Sequence, residues 1–121
     1  MPIRMSKRSS IVRAHKYNAK PCEVNGEKYR SQKEMKRHQE LLLMEKAGQI
    51  SDLKREVPFV LAPSVVINGK RVRELVYRAD FTYLDFRGEL VVNDAKGYPT
   101  PVYRIKRHLM QSTLGISILE T

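Results

Sequence analysis

Asp80, Asp94 and Lys96 are the residues whose types and spacing could do chemistry together. Asp80 stands in Val76-Tyr77-Arg78-Ala79-Asp80-Phe81-Thr82-Tyr83-Leu84, an alternating run rich in aromatic residues. Asp94 and Lys96 stand in Leu90-Val91-Val92-Asn93-Asp94-Ala95-Lys96. Side chains two apart on a strand share a face, so Asp94 and Lys96 are expected to point the same way. Between the runs lies Asp85-Phe86-Arg87-Gly88-Glu89, a hairpin signal in which Gly88 supplies a left-handed residue. A loop of residues 86–88 sets Asp85 against Glu89. Counting back then sets Asp80 against Asp94, with Cβ atoms about 5 Å apart. Two carboxylates and an ammonium would converge on one patch. Carboxylates that close repel unless a divalent cation holds them, and oxygen-only ligands suit Mg²⁺ or Mn²⁺. A solvated sheet face that merely carries Asp and Lys is the competing reading.

A helix must supply the third acid, Glu34. Ser31-Gln32-Lys33-Glu34 has the form of a capping box, with Ser31 as N-cap and Glu34 at N3. Met35, His38, Leu41 and Leu42 predict the apolar stripe, and Gly48 the end of the helix. At about 100° per residue Glu34 falls in line with Leu41, beside His38 and Leu42, so it flanks the sheet-facing side. Capping and metal ligation are both open to it.

A second helix begins just after Lys96. Thr100 and Pro101 predict its N-cap and first residue, and it should run to about Gln111. Val102, Ile105, Leu109 and Met110 are expected to form its buried stripe. Tyr103, Lys106 and Arg107 would then form an adjacent face able to hold the phosphates flanking a scissile one. An ordinary amphipathic helix explains the same residues. Lys96 likewise reads either as a solvated strand lysine or as a group that orients or deprotonates an attacking water.

The rest of the chain frames these elements. Glu23 to Tyr29 is a short extended piece turning at Asn25-Gly26, Val57 to Ala62 and Ser64 to Ile67 read as strands, and Asn68-Gly69 marks a tight hairpin into the strand of Asp80. Leu114 to Leu119 is expected to close the domain as a strand. The order is therefore helix, three or four antiparallel strands, helix, strand.

The chain has 121 residues, enough for one domain with a modest core. With 41% hydrophobic and 30% charged residues it is globular in composition. Twenty-three Lys and Arg against 13 Asp and Glu give a net charge of +10, which points to a polyanion and first of all to nucleic acid. A basic surface without a function is the alternative. Arg4, Lys7, Arg8, Arg13, Lys16 and Lys20 stand in residues 1–20 with no acid among them. That stretch reads as a flexible, phosphate-neutralising arm or as an inert solvated tail, followed by a single domain over 21–121. The lone Cys22 excludes an internal disulfide and fits a reducing compartment. No apolar run reaches membrane-spanning length and the N-terminus lacks a signal-peptide core, so a cytoplasmic protein without a membrane partner is expected. His15, His38 and His108 have no ligand spacing, and no glycine-rich phosphate loop, zinc finger or helix-turn-helix pattern is present.

Helix with Glu34, hairpin with Asp80, strand with Asp94-Ala95-Lys96, then a basic helix: this order resembles the PD-(D/E)XK nuclease superfamily. It is more closely similar to a family of small phage-encoded proteins of unknown function within it. Lys16-Tyr17-Asn18-Ala19-Lys20, Tyr29-Arg30-Ser31-Gln32-Lys33-Glu34, Tyr77-Arg78-Ala79-Asp80-Phe81, Asp94-Ala95-Lys96-Gly97 and Thr100-Pro101-Val102-Tyr103-Arg104-Ile105-Lys106 carry the likeness. It implies an α/β fold, a mixed α+β sheet with a restriction-endonuclease-like αβββαβ core. It implies Mg²⁺-dependent cleavage of DNA, with Mn²⁺ able to substitute and no small-molecule cofactor. Asp80, Asp94, the Ala95 carbonyl and Glu34 would hold the metal, and Lys96 would assist catalysis. The superfamily's proline is Ala79 here, and Asn93 precedes the aspartate; neither position supplies a ligand. With so little surface for reading sequence, selection by DNA structure (a branch, flap or four-way junction) is expected, and junction resolution would require a two-fold homodimer. A non-catalytic nucleic-acid-binding module on the same fold is the rival reading.

Overall fold

The computed structural model describes residues 20–95 and 98–121. The Asn25-Gly26 turn, with both residues at positive φ, folds β1 (Cys22–Val24) onto β2 (Glu27–Tyr29) as expected. Ser31 then caps α1 (Gln32–Lys46), its hydroxyl accepting the Glu34 N–H at 3.1 Å. Gly48 follows at φ 79°, the left-handed position that closes a helix. The buried line of α1 is Glu34, His38 and Leu41. Leu42, expected in that stripe, is 40% exposed and lies off it.

Strand β3 (Ser51–Ala62) starts six residues earlier than the Val57 expected from sequence. Its inward positions include Arg55, and a charged residue there interrupts the apolar alternation that marks a strand. Pro58 is tolerated because β3 is an edge strand. The hairpin of β4 (Val65–Ile67) and β5 (Lys70–Val72) is a two-stranded sheet of its own rather than the start of the Asp80 strand. That strand, β6 (Leu75–Leu84), pairs with β3 and with β7 (Leu90–Asp94), antiparallel to both. After α2 (Pro101–Leu114) the chain returns as β8 (Leu119–Glu120), parallel to β7. The helix thus outruns Gln111, ending where Gly115 takes φ 69°, and the expected strand over Leu114–Leu119 shrinks to two residues.

The sheet order β3-β6-β7-β8, with α1 before β3 and α2 between β7 and β8, gives a single mixed α+β domain with the αβββαβ order. Leu41, Ile50, Phe81, Tyr83 and Ala95 form the core under α1. Leu61, Tyr77, Ala79, Val92, Tyr103 and Met110 form the core under α2. Val91 packs with the first and Val92 with the second, so the helices cover opposite faces of the sheet. Ala79 and Phe81 would share a face on a flat strand, yet they belong to different cores. β6 therefore turns over between them, and Asp80 sits at the crossing. On β3 the same register places Glu56, at φ 52°, beside this point.

Candidate acidic site at the β6–β7 junction

The hairpin sets the register that delivers the two aspartates. Asp85 N–H donates to the Glu89 carbonyl at 2.9 Å, and Gly88 N–H to the Asp85 carbonyl at 2.9 Å. Asp85 Oδ1 accepts from the Arg87 and Glu89 N–H groups. Pairs Leu84↔Leu90, Tyr83↔Val91, Thr82↔Val92 and Phe81↔Asn93 follow. Carried one step further, the register would set Asp80 against Asp94, the pairing expected from sequence. The backbone ladder ends just short of that pair. In its place Asp80 Oδ2 accepts the Ala95 N–H at 2.9 Å, a side chain standing in where the strands part.

All three acids are buried: Glu34 is 2%, Asp80 8% and Asp94 1% exposed. Each accepts from a donor of the protein. Tyr77 donates its hydroxyl to Asp94 Oδ2 at 2.5 Å. Arg30 N–H donates to Glu34 Oε1 at 2.8 Å, and the Arg55 guanidinium lies 3.5 Å from Glu34 Oε2. The reciprocal half of the capping box thus goes to Arg30 rather than to Ser31. The Arg30 guanidinium also reaches to 4.0 Å from Asp80 Oδ1. Burial, then the Asp94 charge and then that of Glu34, push the Asp80 carboxyl up to about 7. Only the Ala95 amide pulls the other way among its principal influences. Burial, followed by the hydrogen bond to Asp94, raises the Tyr77 hydroxyl well above its ordinary range and keeps it a donor.

Other expected site residues fall differently. Lys96, with Arg4, Lys7, Arg8, Arg13 and Lys16, lies outside the described residues; Lys20 is exposed. Tyr103 is a correction. It is 4% exposed and belongs to the α2 core, and its hydroxyl donates to Glu120 Oε2 at 2.5 Å, so it offers no surface to DNA. Arg107 pairs with the same carboxylate at 2.8 Å, and Lys106 is half-buried. The stripe expected from Val102 and Ile105 faces outward instead, at 60% and 59% exposure. Met110 and Leu109 lie inward as expected, and Tyr103 takes the inward place of Val102 and Ile105.

Four residues that position the site were not singled out from sequence. Arg55 ties β3 to α1 through Glu34, to the Lys28 carbonyl at 3.0 Å, and to the Tyr29 ring, whose centroid lies 4.3 Å below its guanidinium. Arg30 and Tyr77 hold Asp80 and Asp94 as described. Asn93, fully buried, accepts from Arg37 Nε at 2.8 Å and donates to the Leu119 carbonyl at 2.8 Å, linking α1, β7 and β8. The one available signal was parity: Arg55 occupies an inward position between Leu53 and Val57.

Among the described residues no group of three or more His, Cys, Asp and Glu side chains stands ready to hold a metal ion. The donor chemistry at Asp80 and Asp94 does fit a hard divalent cation. They are buried carboxylates side by side, and burial first, then the Asp94 charge, raises the Asp80 carboxyl. Glu34 fits direct ligation less well, since both its oxygens face protein donors.

Fold and site together define a small mixed α+β protein with an acidic cluster buried where two sheet strands part. The family model described as Protein of unknown function (DUF1064) matches residues 14–115, and the chain belongs to that family. No curated protein and no solved structure matches it. No helix among the described residues is long and apolar enough to cross a membrane.

Proposed function

We propose that the protein is a metal-dependent DNA endonuclease of the PD-(D/E)XK type. The observation that carries this reading is the junction itself: Asp80 and Asp94 meet, buried, at the end of the β6–β7 ladder, and burial and then the Asp94 charge hold the Asp80 carboxyl up to about 7. Burying like charges is costly, and such clusters mark functional sites more often than structural ones. The αβββαβ order and the net charge of +10 agree with a nuclease. Asp80 and Asp94 would hold Mg²⁺ or Mn²⁺, with the Ala95 carbonyl beside them. Bound there, the cation would polarise the scissile phosphate and lower the pKa of the attacking water. Tyr77 orients the Asp94 carboxylate, the Ala95 amide orients that of Asp80, and Arg30 stands over the Asp80 carboxylate at 4.0 Å. Glu34 acts through water rather than directly, because Arg55 and the Arg30 amide already hold its two oxygens. Lys96 would assist the proton transfer. The substrate class is branched, flapped or four-way-junction DNA, and a role in phage replication or recombination follows from the resemblance.

The test is incubation with branched, single-stranded and duplex DNAs in Mg²⁺, Mn²⁺ or EDTA. Cleavage that needs the cation and is lost in Asp80→Asn supports the proposal. One observation favours a second reading, a non-catalytic DNA-binding module: every acid at the junction already accepts from a protein donor. Binding without cutting in any of these conditions would establish that reading instead.

A further inference from the structure

The hairpin β4–β5 departs from the rest of the molecule in both packing and charge. Residues 63–75 are all exposed, including Val65, Val66, Ile67 and Val72, and the two strands pair only with each other. An isolated two-stranded ribbon is marginal in water. This one is shaped by an Asn68-Gly69 turn with both residues at positive φ, and by the pairs Val65↔Val72, Val66↔Arg71 and Ile67↔Lys70. Its charge is one-sided. Lys70 and Arg71 stand on it and Arg73 just after it, against the single acid Glu74 in residues 63–75, and among the described residues Arg71 reaches only the Ser64 hydroxyl, at 3.2 Å.

Those two features together select the partner. Two copies of so basic a ribbon repel, which disfavours pairing of this hairpin with its twin. A polyanion is attracted. The major groove of duplex DNA, about 12 Å wide, admits a two-stranded ribbon, and apolar side chains on such elements contact bases or wedge between them. The ribbon is rooted at Leu75, five residues before Asp80 on β6, which is roughly 17 Å along the strand at about 3.4 Å per residue. It is thus carried by the same strand as the acidic site but stands clear of it.

We propose that β4–β5 is a DNA-docking arm, in which Lys70, Arg71 and Arg73 contact backbone phosphates of a duplex while Ile67 and the Asn68-Gly69 tip enter a groove. This rests on the nuclease reading for the presence of DNA, but not on catalysis at Asp80. The experiment measures binding of the full chain to a duplex oligonucleotide in EDTA across a salt series, for the parent, Lys70→Ala/Arg71→Ala/Arg73→Ala and Ile67→Ser. Three phosphate contacts contribute about 2.7 to the slope of log affinity against log salt, or on the order of 100-fold in affinity near 0.15 M salt. The triple variant should lose that slope and affinity at an unchanged melting temperature, and Ile67→Ser should weaken binding without altering the slope. An unchanged slope in the triple variant overturns the proposal while leaving the nuclease reading intact. Failure of the parent itself to bind DNA overturns both. A parent dimer that Ile67→Ser converts to monomer, read by light scattering, would assign the ribbon to self-association and overturn it too.

Discussion

Asp80 is a carboxyl whose surroundings favour its proton, and that has a measurable consequence. An acid with a folded-state pKa above its unfolded value near 3.9 binds a proton in the folded state that the unfolded chain has already lost. With Asp80 held up to about 7, its contribution falls as pH rises from about 4 to about 7 and is level above that. In EDTA, Asp80→Asn should therefore be more stable than the parent at pH 8, with the gap closing towards pH 4; the amide oxygen still accepts the Ala95 N–H. His38 works in the opposite direction, its pKa lowered first by burial and then by Arg55, so only the difference between variant and parent isolates Asp80. Thermal melts across pH check this, and equal melting curves at pH 8 would contradict it. Glu34 gives a second residue-scale expectation. Glu34→Gln keeps an acceptor for the Arg30 N–H but removes the charge facing Arg55, which is 17% exposed. The loss should be about 1–2 kcal/mol, or roughly 4–8 °C in melting temperature, on top of reduced cleavage. A variant with parental stability would show that Glu27 and Glu56, the other carboxylates near Arg55, satisfy it without Glu34.

Elements show why some positions were legible in the sequence and others were not. The Asp80–Asp94 juxtaposition could be counted from the chain because its determinants are local: an Asp that caps its own turn, a Gly at φ 79° and two alternating strands. The cap of α1 was equally local. The inward face of α2 was not. Val102 and Ile105 on one side, or Tyr103 on the other, can join Leu109 and Met110 at helical spacing, and the side taken is the one whose Tyr103 hydroxyl reaches Glu120 on β8. β3 was shortened for a similar reason, because Arg55 reads as polar until Glu34 and Tyr29 are placed around it. Tyr103→Phe tests the corrected orientation. It keeps the ring between Tyr77 and Arg107 and loses the bond to Glu120, so stability should fall by about 1 kcal/mol. DNA affinity and its salt slope should not change. A weakened slope with unchanged stability would restore Tyr103 to the DNA-facing side.

At the scale of the whole molecule, positive charge is unevenly distributed along the chain. Six of the 23 cations stand in residues 1–20, where there is no acid, so the other 17 face all 13 acids and residues 21–121 carry only +4. Three of those 17 stand on the β4–β5 ribbon or just after it, against the single acid Glu74. Long-range attraction to DNA should thus come from two places, the N-terminal stretch and the ribbon, while the acidic junction repels phosphate until a cation offsets it. Deleting residues 1–15 removes Arg4, Lys7, Arg8 and Arg13, and at about 0.9 each four phosphate contacts would flatten the salt slope by roughly 3–4. If the arm and the ribbon touch different phosphates, the deletion and the triple ribbon variant should act independently, as distant sites do, and their combination should flatten the slope by roughly 6. A combined loss no larger than either alone would mean that both compete for the same phosphates. An unchanged slope on deletion would take residues 1–15 out of binding and leave the basic charge that matters on the rest of the chain, the ribbon included.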